Sequence, residues 1–113
     1  MTDKATVVRR YLGAYQHDDR AALEACIADN FRFTSPEDDA IDRVRYFQHC
    51  WPNHGTAHAI DVERVVEDGN AAYVTYMLRH IDGRSIHNTE RVTFEGDKIN
   101  GIEVFFGRVI KAA

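Results

Sequence analysis

The run Ile86 to Phe94, Ile-His-Asn-Thr-Glu-Arg-Val-Thr-Phe, alternates with a period of two and constrains the fold more than any other stretch. Ile86, Asn88, Glu90, Val92 and Phe94 share one face, and His87, Thr89, Arg91 and Thr93 share the other. The second set is wholly polar, so the first turns toward the core of a half-buried sheet. That sends a carboxylate, Glu90, and an amide, Asn88, inward. An ionised acid in an apolar site is costly unless partners compensate or its pKa rises until it is neutral. Two arrangements meet this condition. Glu90 faces a lined cavity as a functional carboxylate, or it is an inert core acid hydrogen-bonded to Tyr or Arg.

The remaining strands follow the same grammar. His58 to Val66 alternates and stops at Asp68-Gly69; Ala71 to His80 stops at Asp82-Gly83; the opening run stops at Gly96-Asp97; and Ile99 to Phe106 is the last. Three successive turn signals between alternating runs predict a four-strand antiparallel meander. On the second of these strands Ala72, Val74, Tyr76 and Leu78 fall inside, with Ala71, Tyr73, Thr75 and Met77 outside. The outer set is too apolar for water, as is Phe105 on the last strand. A homodimer through Tyr73, Met77 and Phe105 is the expected cover.

Helical spacing occupies the first half. Val7, Val8, Tyr11, Leu12 and Tyr15 form an apolar stripe after a cap at Thr2 or Asp3, and place two phenols one turn apart on the inner face. Asp18 or Asp19 caps a second helix with Ala22, Leu23, Cys26 and Ile27 inward, ended by Asp29-Asn30. Phe31 to Thr34 reads as a short strand stopped by Ser35-Pro36. A third helix capped by Asp39 then carries Ile41, Val44, Phe47 and Trp51 inward and closes at Pro52. The acids Glu37, Asp38 and Asp39 suit the positive end of that helix dipole, or else supply a catalytic carboxylate. Helices first and a meander last predict an α+β fold with the helices on one face of a sheet.

At 113 residues the chain holds one core, and 44% hydrophobic with 28% charged residues is ordinary for a globular protein. A net charge of -4 argues against nucleic acid and anionic membranes as partners. No apolar run reaches spanning length, and Met-Thr-Asp-Lys lacks a signal-peptide stretch. Cys26 and Cys50 have no Cys-x-x-Cys spacing, which fits a reducing cytoplasm. His54 and His58 have i, i+4 spacing, but Gly55 between them speaks against a helix, so no metal site is expected. No glycine-rich phosphate loop is present, and no cofactor is expected.

Three helices, a short strand ending in Ser35-Pro36 and a four-strand meander resemble the nuclear-transport-factor-2-like superfamily from end to end. The phrases Phe31-Arg32-Phe33-Thr34-Ser35-Pro36, Ile41-Asp42-Arg43 and Phe47-Gln48-His49-Cys50-Trp51-Pro52 resemble its SnoaL-like branch. The resemblance implies a single domain over residues 1–113, an α+β cone whose curved antiparallel sheet wraps the N-terminal helix around a cavity. The superfamily includes ketosteroid isomerases, polyketide cyclases and limonene epoxide hydrolases. It implies an oxyanion-binding Tyr on the first helix, matched by Tyr11, and a protonated acid on the fourth strand, matched by Glu90. The isomerases' general base, an Asp before the proline, is here Ser35, and a serine hydroxyl is no proton-abstracting base without help. Asp38 is the nearest replacement. No Asp-Arg-Asp arrangement for epoxide hydrolysis can be placed.

These readings converge on a pocket for a small apolar or carbonyl-containing molecule. In an isomerase- or cyclase-type enzyme Glu90 would move the proton, its pKa raised among Val74, Val92 and Phe94, and Tyr11 would hydrogen-bond the oxyanion. Tyr15, Ser35, Asp38, Val74, Tyr76, Asn88 and Val92 would contact the substrate, and Phe47, His49 and Trp51 would rim the mouth. The alternative is a non-catalytic ligand-binding or dimeric interaction module in which Tyr11 and Glu90 only fix the core.

Overall fold

The computed structural model describes residues 3–52 and 57–111. Helix α1 (Lys4–Gln16) begins where the Asp3 carboxylate accepts from the Thr6 amide at 2.7 Å, satisfying one of the donors that a helix start leaves open. It buries Val7, Val8, Tyr11, Leu12 and Ala14. Asp18, at φ 56°, turns the chain, and Asp19 caps α2 (Arg20–Cys26) through the Ala22 amide.

The chain enters strand β1 (Ile27–Ser35) directly from α2. The second helix therefore ends at Cys26, and Asp29 and Asn30 lie inside the strand rather than closing the helix. Ile27, Phe31 and Phe33 alternate inward, so strand burial overrides the turn chemistry of Asp-Asn. Past Pro36 the expected third helix is preceded by a short strand, β2 (Asp38–Asp42), hairpinned onto β1 with Phe33 opposite Ile41. The cap of α3 (Arg43–His49) is therefore Asp42, whose carboxylate accepts from the Arg45 amide at 2.9 Å, and not Asp39. The later start rotates the helix. Tyr46 and Phe47 are buried, while Val44, expected inside, is 65% exposed.

Strands β3 (Ala57–Asp68), β4 (Ala71–His80), β5 (Ser85–Glu95) and β6 (Lys98–Phe105) form the expected meander, and β7 (Val109–Ile110) pairs with the start of β5. Two of its loops, Gly69-Asn70 and Gly96-Asp97, have glycine first at φ 60° and 62°. This II′ pattern matches the twist of the flanking strands. The strand order is β2-β1-β6-β5-β4-β3. β1 runs parallel to β6, so the curved sheet is mixed rather than purely antiparallel. The returning edge arises because β1 arrives from a helix, not a hairpin, and its direction is free.

Helix α1 packs across β3 and β4 and against α2, closing one side of an α+β cone. The core joins Val8, Leu23, Phe31 and Tyr46 to the inner faces of Val74, Val92 and Ile99, all fully buried. Among the described residues no helix is long and apolar enough to cross a membrane.

Candidate functional site

Strand register creates the site. β4 and β5 pair Val74 with Glu90 and Tyr76 with Asn88, and the period of two turns all four inward. Glu90 is 2% exposed. Across the hollow, the stripe of α1 brings Tyr11 over the same point, and its hydroxyl donates to Glu90 Oε1 at 2.7 Å. Tyr76 donates to the other oxygen, Oε2, from the neighbouring strand. Asn88 Nδ2 lies 3.5 Å from the Tyr76 hydroxyl, and Asn88 Oδ1 accepts from the Gly107 amide at 3.3 Å. The inward acid is thus held by two phenols on two elements, with an amide behind one of them.

Burial sets the electrostatics. Loss of water raises the Glu90 pKa, and the hydrogen bonds from Tyr76 and Tyr11, which favour the ionised form, pull it only part of the way back. Desolvation and the Glu90 charge hold the hydroxyls of Tyr11 and Tyr76 well above the ordinary phenol value, so both remain donors. Tyr15 and Tyr46 are raised by burial in the same way and share a hydrogen bond. The Tyr15 ring meets Tyr11 edge-on at 5.8 Å, extending the aromatic wall.

These side chains border a cavity of about 410 Å³, within the range of small-molecule sites. Of the residues expected to contact a ligand, Tyr11, Tyr15, Ser35, Asp38, Tyr76, Asn88 and Glu90 line it. The other five lie elsewhere. Val74 and Val92 are fully buried behind the wall, because they sit directly across from Glu90 and Ala72 in the ladder and pack into the core. Phe47 faces α2, with the guanidinium of Arg20 over its ring at 4.7 Å and that of Arg43 at 5.7 Å. The rotation of α3 carries it there. Trp51 backs the Tyr15 ring at 5.1 Å instead of forming a rim. His49 is half exposed beside Asp38, with Nε2 3.3 Å from Oδ1.

Asp38 and its neighbour Glu37 are the other acids that line the cavity. Ser35 Oγ donates to Asp38 Oδ2 at 3.2 Å, and Cys50 Sγ lies 3.9 Å from the same oxygen. Burial and the Asp38 charge push the Cys50 thiol up to about 11. Ser35 Oγ also accepts from the Glu37 amide at 3.1 Å, so the serine fixes the turn that presents Asp38. Sequence reasoning missed Tyr46, Cys50 and His80. Tyr46 and Cys50 follow from an α3 cap at Asp42, and His80 continues the inward series Tyr76, Leu78. Among the described residues no group of three His, Cys, Asp or Glu side chains could hold a metal; His54 lies outside them.

The profile of the SnoaL-like domain matches residues 8–102. The chain belongs to the SnoaL-like family. No curated protein matches it. Among solved structures it is similar to a nuclear-transport-factor-2-like protein of unknown function from Cytophaga hutchinsonii, with a TM-score of 0.77 at 19% identity over 94% of this chain and 91% of that one. A protein from Kribbella flavida proposed to be a ketosteroid isomerase superposes with a TM-score of 0.74 at 17% identity, covering 96% and 80%. A proposed SnoaL-like polyketide cyclase from Jannaschia gives 0.78 at 13%, covering 90% and 83%. At such identities the likeness carries the SnoaL-like fold and leaves the chemistry to the site.

Proposed function

We propose that this SnoaL-like protein is a cofactor-independent enzyme of the isomerase or cyclase kind, moving a proton on a small carbonyl compound. The observation that carries the reading is Glu90, buried between two phenols at the wall of a cavity that Asp38 also lines. Burial favours the protonated form of Glu90. Protonated Glu90 and Tyr11 would donate to the substrate carbonyl oxygen, stabilising negative charge where water is excluded. The Asp38 carboxylate would take a proton from carbon next to the carbonyl. In a ketone with a β,γ double bond, the C–H electron pair forms the dienolate as the carbonyl π pair moves to oxygen. Asp38 then returns the proton at the γ carbon, as the carbonyl re-forms and the remaining double bond shifts into conjugation with it. This role for Asp38 fills the gap left by Ser35, which here orients the acid.

The test is exchange of α-hydrogens with deuterium oxide in a neutral ketone, followed by NMR. Asp38→Asn should abolish exchange, whereas Glu90→Gln, whose amide still donates, should retain part of it. Exchange by Asp38→Asn at the parent rate would remove the base assignment. A second reading, a binding module without turnover, is favoured by one observation: both Glu90 oxygens already have donors. Ligand binding without exchange in the parent would select it. We propose in addition a homodimer through the outer sheet face, where Tyr73 is 39% and Phe105 48% exposed beside Met77.

A further inference from the structure

The cavity has a second polar end. His80 is the last residue of β4 and lies on the inner face with Tyr76 and Leu78, four residues from Tyr76. Four residues of strand separate their Cα atoms by about 13 Å. The His80 backbone is fixed on both sides: its amide donates to the Arg84 carbonyl at 2.8 Å, and its carbonyl accepts from the Gly83 amide at 3.0 Å. Its side-chain Nε2 is shielded from solvent and has no hydrogen-bond partner among the described residues. A buried polar atom left unsatisfied is costly, and native structures supply nearly every such atom with a partner.

The charges on the wall restrict what that partner can be. The carboxylates of Glu37 and Asp38 line the cavity beside the protonated Glu90, and none of its described lining residues is Lys or Arg. A carboxylate or phosphate entering it would meet like charge with no counter-ion. A hydroxyl is uncharged, and because it both donates and accepts it satisfies either tautomer of the imidazole. Leu78 and Ile86, opposite each other in the ladder, line the wall between the Glu90 end and the His80 end and suit an apolar body.

The geometry points to His80 as the specificity-determining residue for an uncharged, elongated ligand carrying a carbonyl at one end and a hydroxyl at the other. The carbonyl sits at Tyr11 and Glu90, the apolar middle lies along Leu78 and Ile86, and the hydroxyl pairs with His80 Nε2. This assignment rests on the proposed carbonyl site and adds the class of molecule that fills it.

Three probes test it in the intact chain by calorimetric titration: 4-(4-hydroxyphenyl)butan-2-one, its deoxy partner 4-phenylbutan-2-one, and the anion 4-(3-oxobutyl)benzoate. The hydroxyl compound is expected to bind about tenfold more tightly than the deoxy compound, the worth of one buried hydrogen bond. The anion is expected to bind more weakly than either. In His80→Phe the tenfold preference collapses toward one, and in His80→Gln, which keeps a donor and an acceptor, part of it returns. In the unsubstituted protein the Nε2 nitrogen resonance of His80 moves with the hydroxyl compound and stays with the deoxy compound. That measurement decides the matter even if a variant fails to fold. An unchanged preference in His80→Phe, a resonance that does not move, tighter binding of the anion, or no binding by any probe overturns the assignment. Hydrogen exchange separates it from the proposed activity. Preferential binding without exchange leaves His80 in place and removes the enzyme, whereas exchange without preference does the reverse.

Discussion

Replacing Tyr11 by phenylalanine removes one hydroxyl and nothing else from the wall, and the structure fixes what must follow. The lost group donates to Glu90 Oε1 at 2.7 Å, a contact that lowers the pKa of an acid otherwise raised by burial. A hydrogen bond to a charged partner contributes about 1.5–3 kcal/mol. The bond favours the ionised form, so Glu90 in Tyr11→Phe should titrate higher than in the parent. Carboxyl-carbon NMR of labelled Glu90 measures both curves.

The same shift appears in stability. Because its folded pKa lies above the ordinary value of 4.5, Glu90 stabilises the fold fully below that value. That contribution is lost as pH rises through the folded pKa, since the folded state then binds the extra proton that the unfolded chain has released. In Tyr11→Phe the window extends further upward, so the stability gap between variant and parent widens with pH between their two folded pKa values. Urea midpoints at a series of pH values record it. A Glu90 titration that stays in place or moves down, or a gap constant across pH, would refute the account of a buried acid held by this phenol. If Tyr11 also binds the oxyanion, exchange of ketone α-hydrogens slows by about 10²–10³.

Other consequences concern the frame. Asp42→Ala removes the cap of α3 and should cost about 1 kcal/mol in chemical denaturation, whereas Asp39→Ala, outside that helix, should leave the midpoint near the parent's. A methyl group at Gly107 would lie 1.8 Å from the His87 carbonyl oxygen, so Gly107→Ala forces the C-terminal segment off β5. A loss of about 1–3 kcal/mol is expected, with weakened amide protection at residue 107, whose amide now donates to Asn88. Sedimentation of Phe105→Asp should show monomer where the parent is dimeric, and a parent that sediments as a monomer removes the proposed interface.

Two carboxylates and three phenols decide how much of this site was legible. Glu90 and Asn88 declared themselves through the period of two, because alternation in a strand with one wholly polar face leaves no freedom about which side is buried. Tyr11 followed from the 3.6-residue stripe for the same reason. Val74 and Val92 share the inner face, but period alone does not say whether an inward residue reaches a cavity or ends against another side chain. Tyr46 stayed hidden because the expected stripe of α3 ran through Val44 and Phe47, whereas the helix buries the adjacent pair Tyr46 and Phe47 and leaves Val44 in solvent. Asp29-Asn30 looked like a helix end and became strand, because Ile27, Phe31 and Phe33 gain more from the core than a turn would return.

The sequence by itself determined the alternating strands, their turns and the inward carboxylate, and narrowed each of the first two helix starts to two adjacent residues, since each depends on contacts within a few residues. Only the tertiary structure decided that Tyr76 joins Tyr11 on that carboxylate, that β1 closes the sheet in parallel with β6, and that Asp38 and His80 border the same hollow. Those facts join residues far apart in the chain. They depend on register and curvature, which no local pattern records.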